Sequence, residues 1–133
     1  MDIIITQWAL DSYLELVTRK KIVSKDEYTR EIRPDVLRLK NIETDTKFAN
    51  GKFWSIAEEA GKVIPNGYKM KWHQVGSGKM QLRLPIGHLF HKGFYLCAAY
   101  IKSDPKKEKR EMAKFKVYMQ KLSQDEYNEC GRL

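Results

Sequence analysis

Apolar and polar positions along this chain change period twice. Asp2–Thr6 is a short apolar run that reads as a strand, with an N-terminal helix start as the alternative. Leu10, Tyr13, Leu14 and Val17 then follow at the i, i+3, i+4, i+7 spacing of an amphipathic helix, with Trp8 adding bulk at its start. Arg19-Lys20-Lys21 sets cations at the last turn, where the helix dipole favours them. Ser24-Lys25-Asp26-Glu27 reads as a capping box, with Ser24 at the N-cap and Glu27 three residues on. A second helix is expected there, with Tyr28 and Ile32 on one face. Pro34 either kinks it or opens a short successor through Val36, Leu37 and Leu39.

The middle of the chain is polar over 41–52. Phe53, Ile56, Ala57 and Ala60 then predict a short helix stopped by Gly61. Pro65-Asn66-Gly67 marks a turn, after which the period falls to two. Tyr68–Val75 alternates, Gly76-Ser77-Gly78 makes a loop, and Lys79–Ile86 alternates again. Gly93–Lys102 is apolar through Phe94–Ile101, as suits a central strand covered on both faces. The helical period returns at Asp104, a cap, and Pro105, which fits a first helical position. Met112, Phe115, Met119 and Leu122 give that helix a buried stripe, and the acidic, polar tail after it reads as a frayed continuation of the helix or a mobile end.

These elements predict an α+β fold: N-terminal helices packed on a small antiparallel sheet, followed by a C-terminal basic helix. One domain of 133 residues accommodates it. Residues 1–66 form the mainly helical part, 67–102 the sheet, 103–122 the basic helix and 123–133 the tail. Charge sharpens the picture, because the net +8 is unevenly placed. Residues 1–66 balance at 11 cations and 11 anions, whereas residues 67–122 hold 13 against 3. Such a local surplus suits a polyanion, through release of its counterions. A solvated basic helix face and an acidic protein partner are the competing readings. Cys97 and Cys130 sit in unlike settings and no secretory or membrane-spanning run occurs, so reduced thiols in a cytoplasmic protein are expected.

Three segments carry a resemblance when taken in order: Leu82-Arg83-Leu84-Pro85, the strand end Ala99-Tyr100-Ile101-Lys102, and Asp104-Pro105-Lys106-Lys107-Glu108 leading to Met112-Ala113-Lys114. Together they resemble the RelE/HigB-like toxins of toxin–antitoxin modules, over about a third of the chain. The resemblance implies a metal-free endoribonuclease acting on RNA, with mRNA on or off the ribosome as substrate, and a cognate antitoxin as partner. It places the family's strand arginine at Arg83 and the first lysine of its strand-end pair at Lys102, with Ser103 where the second would stand. A second family arginine has no counterpart, and His88 and His91 stand in that region instead.

The residues themselves narrow the chemistry. His73, His88 and His91 have no Cys or acidic partner at zinc-ligand spacing, so neither metal nor cofactor is expected. Gly76-Ser77-Gly78-Lys79 is too short for a phosphate-cradling loop, and Cys97 looks buried rather than nucleophilic. Cleavage of RNA by its own 2′-OH needs proton transfers and stabilisation of phosphoryl charge. Arg83 is the candidate for the phosphate, and His73, His88 or His91 for the proton transfers. Lys69 and Lys71 share a strand face with His73; with Lys79, Lys102, Lys106, Lys107 and Arg110 they are candidate RNA contacts. Each has a plainer role open to it: Arg83 in a surface ion pair, the histidines as loop residues, the lysines as solvated charges, Tyr95 and Tyr100 as core. A ParE-like non-enzymatic toxin, or a binding module of the same fold, stays open beside the nuclease.

Overall fold

A computed structural model describes residues 1–133. It is an α+β structure in which one mixed sheet of seven strands separates two apolar cores. The strands are β1 (Asp2–Thr6), β2 (Trp54–Glu59), β3 (Lys62–Val75), β4 (Met80–Leu89), β5 (Gly93–Leu96), β6 (Tyr100–Ile101) and β7 (Glu129–Arg132). The order across the sheet is β2-β3-β4-β5-β1-β7, with β6 also paired to β4. The expected antiparallel meander is present as β3-β4-β5, but β1 lies parallel to β5, so the sheet is not purely antiparallel. The continuous apolar run Ile3-Ile4-Ile5 explains the insertion: Ile3 is buried on one face and Ile4 on the other, so the strand needs cover on both sides.

The first helix, Gln7–Leu14, extends through a wider turn at Glu15–Arg19. Thr6 caps it, accepting from the Ala9 N–H, and its hydroxyl donates to the Leu96 carbonyl at 2.7 Å, which ties the helix start to β5. The second helical segment runs from Lys25 to Leu37 in three pieces and passes through Pro34 near the start of the last of them. Ser24 caps it through the Glu27 N–H. The Glu27 carboxylate accepts from the Gly76 N–H at 3.0 Å, so it clamps the β3–β4 turn in addition to its place in the cap.

Four expectations are corrected. Residues 53–61 are β2 and a hairpin turn, not a helix; Ala60 and Gly61 both take positive φ, as a two-residue hairpin loop requires. A bulge between Ile56 and Glu58 shifts the alternation, burying Ala57 and leaving Ile56 54% exposed, and the resulting spacing imitates a helix. Pro65-Asn66-Gly67 lies within the long strand β3, at the break in its pairing with β2. The run Gly93–Lys102 is two strands, because β4 carries Pro85 opposite the join. Pro85 has no N–H to donate, its carbonyl takes the Cys97 N–H, and the chain leaves the ladder over Cys97–Ala99. Finally, the tail forms β7 on the outer edge of β1, so the helix Pro105–Ser123 is not the last element.

That helix starts at Asp104, whose carboxylate accepts from the Lys107 N–H, and buries Met112, Phe115, Met119 and Leu122 against the sheet. The first helix and the second helical segment cover the other face, with Met70, Trp72, Leu82, Leu84, Ile86, Phe94 and Leu96. No helix is long and apolar enough to cross a membrane. Cys97 and Cys130 are both free, and burial pushes the Cys97 thiol far above its ordinary pKa, which makes it inert.

Candidate functional site

Strand register builds the site. Lys71 of β3 stands opposite Arg83 of β4, and Arg83 stands opposite Tyr100 of β6. Directly opposed residues point to the same face, so these three side chains form one row across three strands. The face is the one covered by the helix Pro105–Ser123, and Glu108, in that helix's first turn, lies over the row. Its carboxylate accepts from the Tyr100 hydroxyl at 2.8 Å and from the Lys69 ammonium at 3.0 Å. Asp104 fixes this position, since the cap sets the helix phase four residues before Glu108.

Around that carboxylate the cations outnumber the anions. Lys69, Arg83 and Lys102 all act on the Lys71 ammonium; burial first, and their repulsion after it, hold its pKa below the ordinary lysine value against the pull of Glu108. Lys71 donates only to the Gly51 carbonyl, at 2.8 Å, and has no carboxylate partner. Burial tends to raise the Glu108 pKa, but the hydrogen bonds and charges of Lys69, Tyr100 and Arg83 outweigh it and hold the group ionised. Burial and the bond to Glu108 push the Tyr100 phenol well up, so it keeps its proton. The arrangement holds one carboxylate base, two groups that can release or keep a proton, and an unneutralised ammonium facing solvent.

Arg83 is placed differently from the expectation. It does not face solvent: it is 5% exposed, donating to the Leu82 carbonyl and to Gln81 Oε1 at 2.8 Å. Burial lowers its pKa, opposed by Tyr100 and Glu108. Its charge therefore acts from the buried middle of the row, while Lys71 and Lys102 present the more accessible cations.

The three histidines are not brought together. His73 lies on β3 beyond Lys71 and is exposed, its ring N–H donating to the Lys52 carbonyl. His88 is on the opposite face from Arg83, stacked on Phe94 at 4.3 Å and bordering the turn Leu39–Thr44. Burial lowers its pKa. His91 is exposed in the β4–β5 turn, with φ of 66°. No group of three or more His, Cys, Asp or Glu side chains is placed to hold a metal ion. Among the candidate RNA contacts, Lys69, Lys71 and Lys102 join the row. Lys79 lies in the β3–β4 turn, and Lys106 and Arg110 are exposed on the helix. Lys107 turns towards the first helix instead.

Glu108 is not among the site residues that the sequence suggests; Tyr100 is a core residue as expected, and its hydroxyl in addition reaches Glu108. Helix phase from Asp104 places Glu108 in the first turn, but the cross-strand register that sets Tyr100 beside Arg83 has no local signal. The comparisons give no further guide: no family model, no curated protein and no solved structure matches the chain.

Proposed function

We propose that the chain is a metal-independent endoribonuclease, acting as the toxin of a toxin–antitoxin module. The observation that carries this reading is the in-register row Lys71–Arg83–Tyr100 under Glu108 and Lys69, a cationic site with its own base and acid. The resemblance of the Leu82–Pro85 strand and the Asp104–Glu108 helix start to RelE/HigB-like toxins supports it, and so does the charge surplus over residues 67–122.

In the proposed reaction Lys71 and Lys102 hold the scissile phosphate, and Arg83 stabilises its growing charge through the field from the middle of the row. The Glu108 carboxylate takes the 2′-OH proton, and the 2′-oxygen attacks phosphorus. The P–O5′ bond breaks, and the leaving oxygen takes a proton from the Lys71 ammonium, whose depressed pKa suits it to a donor's role. The products are a 2′,3′-cyclic phosphate and a 5′-hydroxyl. The histidines take no part in this scheme. An antitoxin of acidic surface would cover the same cations.

A second reading is a non-enzymatic toxin that inhibits a protein through this surface. The burial of Arg83 and Tyr100, at 5% and 4% exposure, favours it, because neither reaches far into solvent. Incubation of the purified protein with free RNA in EDTA, and with RNA on intact ribosomes in magnesium, separates the two. The nuclease reading expects cleavage with cyclic phosphate ends in at least one arm. Growth arrest by an expressed protein that cuts RNA in neither arm would transfer the function to the second reading.

A further inference from the structure

Beside the row lies a groove of about 340 Å³ between the first helix, with its extension, and the helix Pro105–Ser123. Trp8, Asp11, Ser12 and Glu15 line one wall, and Lys107, Glu111, Lys114 and Tyr118 the other. Each set follows helical spacing, so each is one stripe of its helix. The two helices cover opposite faces of the sheet and come within reach of each other only past the small-residue break Ala98-Ala99, where the chain leaves the ladder opposite Pro85. The groove left there mixes charged side chains with the aromatic pair Trp8 and Tyr118.

The ends of the groove give it a direction. Trp8 and Tyr118 stack on each other, with centroids 4.1 Å apart, and supply flat aromatic surface. Tyr100 and Ile101 also border the groove, and Lys107 and Glu111 flank Glu108 along the helix, so it opens beside the proposed phosphate site. The Glu111 side chain is 14% exposed, and its only ion pair is with Lys114 of its own helix, at 3.2 Å. Lys107 has no carboxylate partner. A half-buried carboxylate, a free ammonium and an aromatic wall are what an unstacked nucleobase meets when its edge is read by hydrogen bonds.

We infer that this groove is a nucleobase subsite that selects guanine, seating the base of a nucleotide whose phosphate lies on Lys71 and Lys102. The inference rests on the RNA reading above. Guanine presents two adjacent N–H donors beside a carbonyl, so Glu111 can accept both while Lys107 donates to the oxygen. Adenine and cytosine would set a bare ring nitrogen against the carboxylate, and uracil has a single N–H between two carbonyls; each leaves a polar group unpaired. An outer face of the Trp8–Tyr118 stack offers the stacking surface.

Calorimetry of the whole protein with the four nucleoside 5′-monophosphates and with ribose 5-phosphate tests this. Guanosine monophosphate should bind about tenfold tighter than the other three. Glu111→Gln, which keeps size and shape, should bring the four to within about twofold of one another while ribose 5-phosphate binds as before. Lys71→Ala should weaken all five ligands alike. Equal affinities in the wild type, no measurable binding, or a guanine preference that survives Glu111→Gln would each overturn the subsite. A wild type that prefers guanosine monophosphate but never cuts RNA keeps the subsite and removes the nuclease. A wild type that cuts RNA without base preference in binding does the reverse.

Discussion

On the face turned to the first two helical segments, Met70, Trp72, Leu82, Leu84 and Ile86 point into one apolar cluster that also holds Val23, Ile32, Val36 and Leu39. On the opposite face of the same two strands stand Lys69, Lys71, Arg83 and, across from Lys69, Pro85. A shift of one residue along β3 or β4 thus separates a side chain packed among apolar neighbours, with the Trp72 indole N–H donating to Asp35 at their edge, from one in a field of like charges. The second face is apolar only further along, where Ile64, Tyr95, Cys97, Phe115 and Met119 pack together. One face carries the stability of the sheet and lets the end of the other carry charge that would be costly in a core. That division makes rate and stability separable by mutation.

The largest effect should strike both faces at once. Gly93 has φ of +150°, and a Cβ there would lie 2.5 Å from the Asp2 carbonyl oxygen, against the parallel strand β1. Gly93→Ala should cost on the order of 3 kcal/mol in urea unfolding, through strain and a loosened β1–β5 pairing. Met70→Ala, on the apolar face, should cost about 2–5 kcal/mol while the folded fraction binds RNA as before. Equal damage to RNA affinity from Met70→Ala would show that the faces are not independent.

Arg83 sharpens the comparison because it is a charge with the burial of a core residue. Arg83→Met, which keeps most of the volume, should leave stability unchanged or higher, since a desolvated cation is removed with its burial cost. Cleavage should nevertheless fall about 10²–10³-fold if the guanidinium stabilises phosphoryl charge. Arg83→Ala should lower stability as well, because it also empties the space. Unaltered cleavage by Arg83→Met would confine the residue to packing.

A smaller effect follows pH. The folded pKa of Glu108 is depressed, so its contribution is complete above the unfolded value of about 4.3 and is lost as pH falls through the folded value. The stability difference between wild type and Glu108→Gln should therefore be constant near neutrality and close below that range. A difference that widens on acidification would mean that the carboxylate is not held by Lys69 and Tyr100. The smallest effects belong to the histidines: His73→Ala, His88→Ala and His91→Ala should each cut RNA within about twofold of the wild-type rate, as exposed or remote residues do.

Much of this was legible in the chain, and what was not has a physical reason. The helix caps at Ser24 and Asp104 are local hydrogen bonds, and both form as the sequence indicates. The Tyr68–Val75 part of β3 and the strand β4 follow from alternation, whereas Lys62–Gly67 of β3 does not. The helix expected at Phe53–Gly61 fails because a bulge, a tertiary feature, scrambles a period of two into an apparent period of four. The tail reads as polar because an edge strand needs no apolar face; Arg132 ties it to β1 through Asp2. At the site, residue type located Lys69, Lys71 and Lys102, but parity alone made Arg83 look solvent-facing. Only the helix lying over that face shows it to be covered. His88 was joined to Arg83 by nearness in sequence, yet the two differ by an odd number of positions on one strand, which sends them to opposite faces.

The central claim is that the charged face cuts RNA and that the half-buried Lys71 is its working group. It is tested most directly by single-turnover cleavage of end-labelled RNA in EDTA, run on the wild type and on Lys71→Ala beside urea unfolding of both. The account predicts cleavage by the wild type that chelator does not diminish, a loss of about 10²–10³-fold in Lys71→Ala, and stabilities within about 0.5 kcal/mol. Wild-type cleavage that stops in EDTA, or a Lys71→Ala variant as fast as the wild type, would contradict it.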